Sequence, residues 1–175
     1  MPQLAVVSFP ALADEDRRWV ESIRARHDPQ AARLAAHFTL VFPVEAATAA
    51  IAAEVTAVAR AIAPIPFVVR YAMAARDASG RGGHVFLVAD EGAAEIVSMH
   101  NRLYAGQLKR HLRADIPFVP HITVAGNHDF AVCQALAEEI DDELRTLRGS
   151  LDSLEVLDVG AATIASAGRF VLGRA

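Results

Sequence analysis

The sequence predicts an α+β fold, and three observations predict it. Strand-like and helix-like stretches are mixed along all 175 residues, with no composition shift or low-complexity linker between them. A Gly-rich turn separates two adjacent β-type runs, which makes an antiparallel hairpin. One pattern, His-apolar-Thr-apolar, occurs twice, in strand contexts 84 residues apart, nearly half the chain.

The elements follow in order. Leu4 to Phe9 is a short β run closed by Pro10. Asp14 is expected to cap a helix carrying Trp19, Val20 and Ile23, which stops near Asp28-Pro29. Ala36 to Val44 returns to β character. An Ala-rich helix follows, with Ile51, Val55, Val58 and Ile62 on one face, ended by Pro64 and Pro66. Phe67–Met73 and His84–Ala89 form the hairpin around Asp77, Ser79, Gly80, Gly82 and Gly83. A helix from Ala93 to Leu112 turns Ile96, Met99, Leu103 and Leu112 inward. Phe118 to Ala125 is a strand. A helix from Phe130 to Leu147 presents Val132, Leu136, Ile140, Leu144 and Leu147. Strands near Leu151–Val159 and Arg169–Leu172 complete the chain.

Composition bounds the function. The hydrophobic fraction is 53%, enough to bury a core, although Ala supplies much of it. Lys109 is the single lysine and the other basic residues are Arg, a usage that suggests a GC-rich bacterial genome and says nothing about function. The net charge of −4 argues against gripping a long duplex by its backbone, but leaves room for a local phosphate site. One cysteine, Cys133, excludes an internal disulfide framework and a CxxC metal site. No apolar run reaches transmembrane length. The opening Met1-Pro2-Gln3-Leu4-Ala5-Val6-Val7 lacks a basic region and reads as a first strand. A soluble, cytoplasmic monomer with no membrane partner is expected.

The repeated pattern carries the chemistry. His37-Phe38-Thr39-Leu40 and His121-Ile122-Thr123-Val124 each place His and Thr on one strand face and two apolar residues on the other. Two such strands related by a pseudo-two-fold turn two imidazoles and two hydroxyls into one cleft. Phosphodiester cleavage uses such a set. A neutral His takes a proton from the attacking oxygen, and a protonated His gives one to the leaving oxygen. The Thr hydroxyls hydrogen-bond the non-bridging phosphate oxygens. That division of labour needs no metal or other cofactor. The near-symmetric motifs leave open which His is acid and which is base.

The pair resembles the signature of the 2H phosphoesterase superfamily, which includes the bacterial 2′-5′ RNA ligase-like proteins and RNA 2′,3′-cyclic phosphodiesterases. The stretch Phe118-Val119-Pro120-His121-Ile122-Thr123-Val124-Ala125-Gly126, the opening Val6-Val7-Ser8-Phe9-Pro10 and the closing Phe170-Val171-Leu172-Gly173 are similar to a bacterial branch of it. The resemblance spans the chain. It implies one domain over residues 1–175, made of two pseudo-symmetric lobes. It also implies two mainly antiparallel sheets, outer helices and a central cleft. Catalytic roles then fall on His37, Thr39, His121 and Thr123. The implied activity is a metal-independent phosphoesterase working on a 2′,3′-cyclic phosphate, or on a 2′-5′-linked RNA end or nucleotide. The alternative is a nucleotide- or RNA-end-binding module with little turnover. Two places depart from the RNA ligase-like pattern. Ala125-Gly126 stands where a basic residue is common, and Val41-Phe42-Pro43 where the ending is commonly Leu-Gly.

Other residues are expected to be structural. His84 sits at an exposed strand end and His128 at a helix start. Arg102, Lys109 and Arg113 form a solvated stripe on one helix face. Phe42, Tyr71 and Phe118 belong to the core, and Cys133 is a packed thiol.

Overall fold

Nine strands and four helices follow one another in the computed structural model, which describes residues 1–160 and 162–173. In chain order they are β1 (Gln3–Ser8), β2 (Ala11–Leu12), α1 (Asp14–His27), β3 (Phe38–Glu45), α2 (Thr48–Ala61), β4 (Ile65–Arg76) and β5 (Gly83–Glu91). Then come α3 (Ala93–Leu103), β6 (His121–Asn127), α4 (Phe130–Glu143), β7 (Leu147–Leu151), β8 (Ser153–Asp158) and β9 (Ala165–Val171). A 3-10 turn, Gln107–His111, lies between α3 and β6.

All strand pairs are antiparallel, in the order β2-β7-β4-β5-β6-β3-β1-β8-β9. Five strands and four strands thus form two blocks. They meet at a single register pair, Phe38 opposite Ile122. Both residues are fully buried, as are Leu40 and Val124 two positions on. Phe38 meets Phe67 of β4 edge-on, with ring centroids 5.1 Å apart. This apolar seam joins the two blocks through β6 and β3, the end strands at which they meet.

Several expected boundaries move, each for a local reason. Asp14 is the first helical residue and Ala13 the cap, so the Asp14 carboxylate accepts from Arg17 at 2.6 Å. Helix α3 stops at Leu103 because the chain turns at Gly106. A Cβ there would collide with the Glu54 carboxylate, which accepts the Gln107 N–H at 2.7 Å. Leu112 is therefore exposed. Arg102, Lys109 and Arg113 fall on three separate segments rather than one face, and Arg113 pairs with Asp115.

The strand expected from Phe118 starts only at His121, because Pro117 and Pro120 have no N–H to give a ladder. The Pro120 carbonyl still accepts from Ala89 at 3.0 Å. Helix α4 ends at Glu143, and Leu147 pairs with Val69 instead. Its inward face is Cys133, Ala137 and Ile140, while Val132 is exposed. The smaller residues let α4 lie against β4, where Asp141 accepts the Ala72 N–H at 2.7 Å. The final β region is split at Asp152 into β7 and β8, and β2 is an added two-residue edge. Phe42 and Tyr71 are exposed rather than core, and Phe118 is half-buried. Cys133 is buried, as expected.

Candidate active site

The strand alternation places the four motif residues as the pattern requires. His37, Thr39, His121 and Thr123 are half-buried, while their apolar neighbours are fully buried. Antiparallel strands pair residues whose side chains share a face. Extending the Phe38–Ile122 pair by one residue each way sets His37 across from Thr123 and Thr39 across from His121. The imidazoles are near enough for the charge of His37 to oppose protonation of His121.

Both rings are held in the same way. The His37 Nδ1 lies 2.8 Å from the Ala35 carbonyl oxygen, and the His121 Nδ1 lies 2.6 Å from that of Val119. A carbonyl can only accept, so each Nδ1 carries a proton and donates it. Each Nε2 is then the atom left for chemistry. As a lone pair it accepts a proton; as N–H it gives one. Among the described residues, the threonine hydroxyl bonded to the protein is that of Thr56, which leaves those of Thr39 and Thr123 free for a ligand.

The two surroundings differ. Phe86 of β5 stacks on His121, with centroids 3.5 Å apart and planes at 21°. His84 stacks beyond Phe86 at 6.1 Å. Burial, with smaller contributions from the His37 and His84 charges, brings His121 down to about 4 against the bond to Val119. His37 meets Phe9 edge-on at 6.2 Å. Burial lowers it too, and Arg24 adds to this. The bond to Ala35 and the charges of Asp28 and Glu21 act to raise it.

A third histidine, not singled out by pattern, braces the site from behind. His100 of α3 is buried, its Nδ1 donates to the Leu40 carbonyl at 2.8 Å, and its ring stacks on Phe118 at 3.8 Å. It thereby ties the end of the first motif to the approach of the second. Phe86 was also missed. The alternation His84, Phe86, Val88 was visible, but only the register of β5 on β6 brings it to His121. His84 is exposed, as expected, yet it joins the site through its stack on Phe86. It also packs over Gly126, where a Cβ would lie 3.2 Å from its ring. His128 is exposed in the bend before α4 and takes no part.

Among the described residues no group of three or more His, Cys, Asp or Glu is placed to hold a metal ion, and no helix is long and apolar enough to cross a membrane.

Known proteins share this fold. The structure of E. coli LigT complexed with 3′-AMP matches with a TM-score of 0.65 at 19% identity, covering 98% of each chain. TT0787 of Thermus thermophilus matches at 0.63 and 17%, again over 98% of each. Usb1 of Kluyveromyces marxianus matches at 0.57 and 9%, over 98% of this chain and 99% of its own. No curated protein matches by sequence. The family model of the 2′-5′ RNA ligase superfamily matches residues 12–162, a span that contains both His-x-Thr strands and the pair that joins them. By that match the chain belongs to the 2′-5′ RNA ligase superfamily, a family of 2H phosphoesterases.

Proposed function

We propose that this protein is a metal-independent phosphoesterase that opens a 2′,3′-cyclic phosphate, or acts on a 2′-5′-linked RNA end or nucleotide. Residues 1–175 work as one cytoplasmic domain of two pseudo-symmetric lobes, acting as a monomer. The observation that carries this is the matched hold on the two imidazoles. Each donates from Nδ1 to the carbonyl two residues before it, and each keeps Nε2 free beside the other motif.

The surroundings support one division of the roles that the motifs leave open. His121, stacked under Phe86 with no carboxylate acting on it, stays neutral and is the base. His37 is lowered as well, by burial and then by Arg24, but the bond to Ala35 and the charges of Asp28 and Glu21 oppose this, and a bound phosphate adds negative charge that favours its protonated form. His37 is the acid. A water oxygen attacks phosphorus as its proton passes to the Nε2 of His121. The bond from phosphorus to one ribose oxygen breaks, and that oxygen takes the proton from the Nε2 of His37. Thr39 and Thr123 donate to the non-bridging oxygens as their charge builds. Solvent then resets the two imidazoles. The complexes of E. coli LigT with 3′-AMP and with ATP support a nucleotide as the bound species.

The test is a product assay on 2′,3′-cyclic nucleotides and on 2′-5′- and 3′-5′-linked dinucleotides. It is run with and without EDTA, beside the His37→Ala/His121→Ala double variant. Turnover of a cyclic or 2′-5′ substrate that survives chelation and vanishes in the double variant is expected. Tight nucleotide binding without turnover would instead make the protein a binding module. Turnover lost on chelation and restored by a divalent ion would overturn the mechanism.

A further inference from the structure

Arg24 is the one charged residue among the buried polar groups of the described core, at 1% exposure. It lies on α1, outside both motifs. Its guanidinium is held by three residues. Nη1 donates to Glu21 at 2.8 Å, Nε to Asp28 at 3.0 Å, and Nη2 to the Leu34 carbonyl at 2.7 Å. The other Glu21 oxygen accepts the Ala36 N–H at 2.6 Å. Two of these bonds clamp the main chain at Leu34 and Ala36. Between them is Ala35, whose carbonyl holds the His37 Nδ1 at 2.8 Å. An unbroken chain of hydrogen bonds therefore runs from a buried arginine to the imidazole. Among the described residues the second motif has no such group. Val119, which holds His121, is flanked by Pro120, whose carbonyl takes the Ala89 N–H.

A buried ion cluster is costly to desolvate, and an apolar substitute of similar volume often serves stability as well or better. Stability alone gives this chain little reason to bury an arginine there. A loop that must hold one carbonyl in one place gives it a reason, because small displacements of a reacting group are expensive in rate.

We propose that Arg24, Glu21 and Asp28 are positioning residues for His37, clamping residues 34–36 so that the Ala35 carbonyl holds its ring. This rests on the catalytic role given to His37 above. Three charged groups act on that ring, and its own charge acts on His121. Arg24, Glu21 and Asp28 reach it from α1 and the turn that follows, and His121 faces it from β6. Glu21 thus acts twice, through the clamp and through its negative charge.

Glu21→Gln and Glu21→Ala separate the two actions. Gln keeps an oxygen for the Ala36 N–H but loses the charge and the second oxygen that accepts from Arg24; Ala loses all three. The first readout is the NMR titration of each histidine ring in the substrate-free protein, which needs no turnover. In Glu21→Gln the midpoint of His37 should fall while that of His121 holds. In Glu21→Ala the His37 ring should also lose its fixed Nδ1–H tautomer, read from its nitrogen shifts. The second readout is turnover on whichever substrate the product assay identifies. Glu21→Ala should lose about ten- to a hundredfold in kcat with KM little changed, and Glu21→Gln should recover most of it. Unchanged His37 signals in Glu21→Ala, or equal changes at both histidines, would overturn the proposal. If no phosphate ester turns over, the function above fails, and the titration still decides whether the clamp holds His37.

Discussion

The two His-x-Thr strands carry the same pattern and the same carbonyl hold, yet they sit in unlike surroundings. The first is set among charges. Arg24, Glu21 and Asp28 all act on His37, with the arginine opposing the two carboxylates. The second is set among rings. Phe86 covers His121 at 3.5 Å, and no carboxylate acts on it. The repeated pattern supplies two imidazoles held alike. Acid–base catalysis needs two that differ. The difference comes from neighbouring elements, α1 on one side and β5 on the other. Each neighbour can be changed without touching a motif.

The largest expected effect is on chemistry. His37→Ala and His121→Ala should each lower the rate by about 10²–10⁴, and the two losses should not add fully, since the groups act as a unit. Steady-state kinetics on the single and double variants checks this. Near wild-type turnover in either folded variant would break the pairing.

The buried face of the same strands should respond in stability instead. Phe38→Ala or Ile122→Ala empties the seam between the two blocks and should cost about 2–5 kcal/mol in denaturant unfolding. Thr39→Val and Thr123→Val, on the cleft face, should be nearly silent in that measurement.

Acid should weaken the fold through the second motif. An unfolded chain protonates His121 near the usual 6.5, whereas the folded protein does so only at about 4. Between those values the unfolded state binds the extra proton, so stability falls as pH falls through the window. The full effect is on the order of 3 kcal/mol, present above pH 6.5 and lost by about 4. His37, also lowered, acts in the same direction. Unfolding midpoints across this range should drop more steeply for the wild type than for His121→Ala.

Thr39→Val and Thr123→Val should cost about 1–3 kcal/mol of transition-state stabilisation each, as hydrogen bonds to a charged phosphate are lost. Comparable losses in both would sharpen the symmetry of the hydroxyls against the asymmetry of the imidazoles.

The subtlest change is Phe86→Ala. Uncovering His121 should raise its midpoint from about 4 toward the ordinary value while His37 stays in place. The acid limb of the kcat/KM profile should move up with it. A limb that stays put would mean that the Phe86 ring is packing alone.

Much of this was legible in the chain because it is written in local alternation. His37, Thr39, His121 and Thr123 announce their shared face by spacing alone, and Phe38 and Ile122 announce the buried one. Helix ends were harder. The apolar stripe of α3 runs on past Leu103 in sequence, but Gly106 must lie against Glu54, which belongs to α2, far back in the chain. Phe86 and Arg24 were out of reach for a similar reason. Each matters through a partner fixed by tertiary register, β5 on β6 in one case and α1 on residues 34–36 in the other. A stray Arg on a helix and a Phe in a strand carry no local mark of such a role.

The central claim is that two like-oriented imidazoles share one phosphate. Nitrogen NMR of the histidine rings, with inorganic phosphate titrated in, tests it most directly. Both His37 and His121 should show the Nδ1–H form when free, and both Nε2 signals should move together along one binding curve. Opposite tautomers, or a response at one ring only, would contradict it.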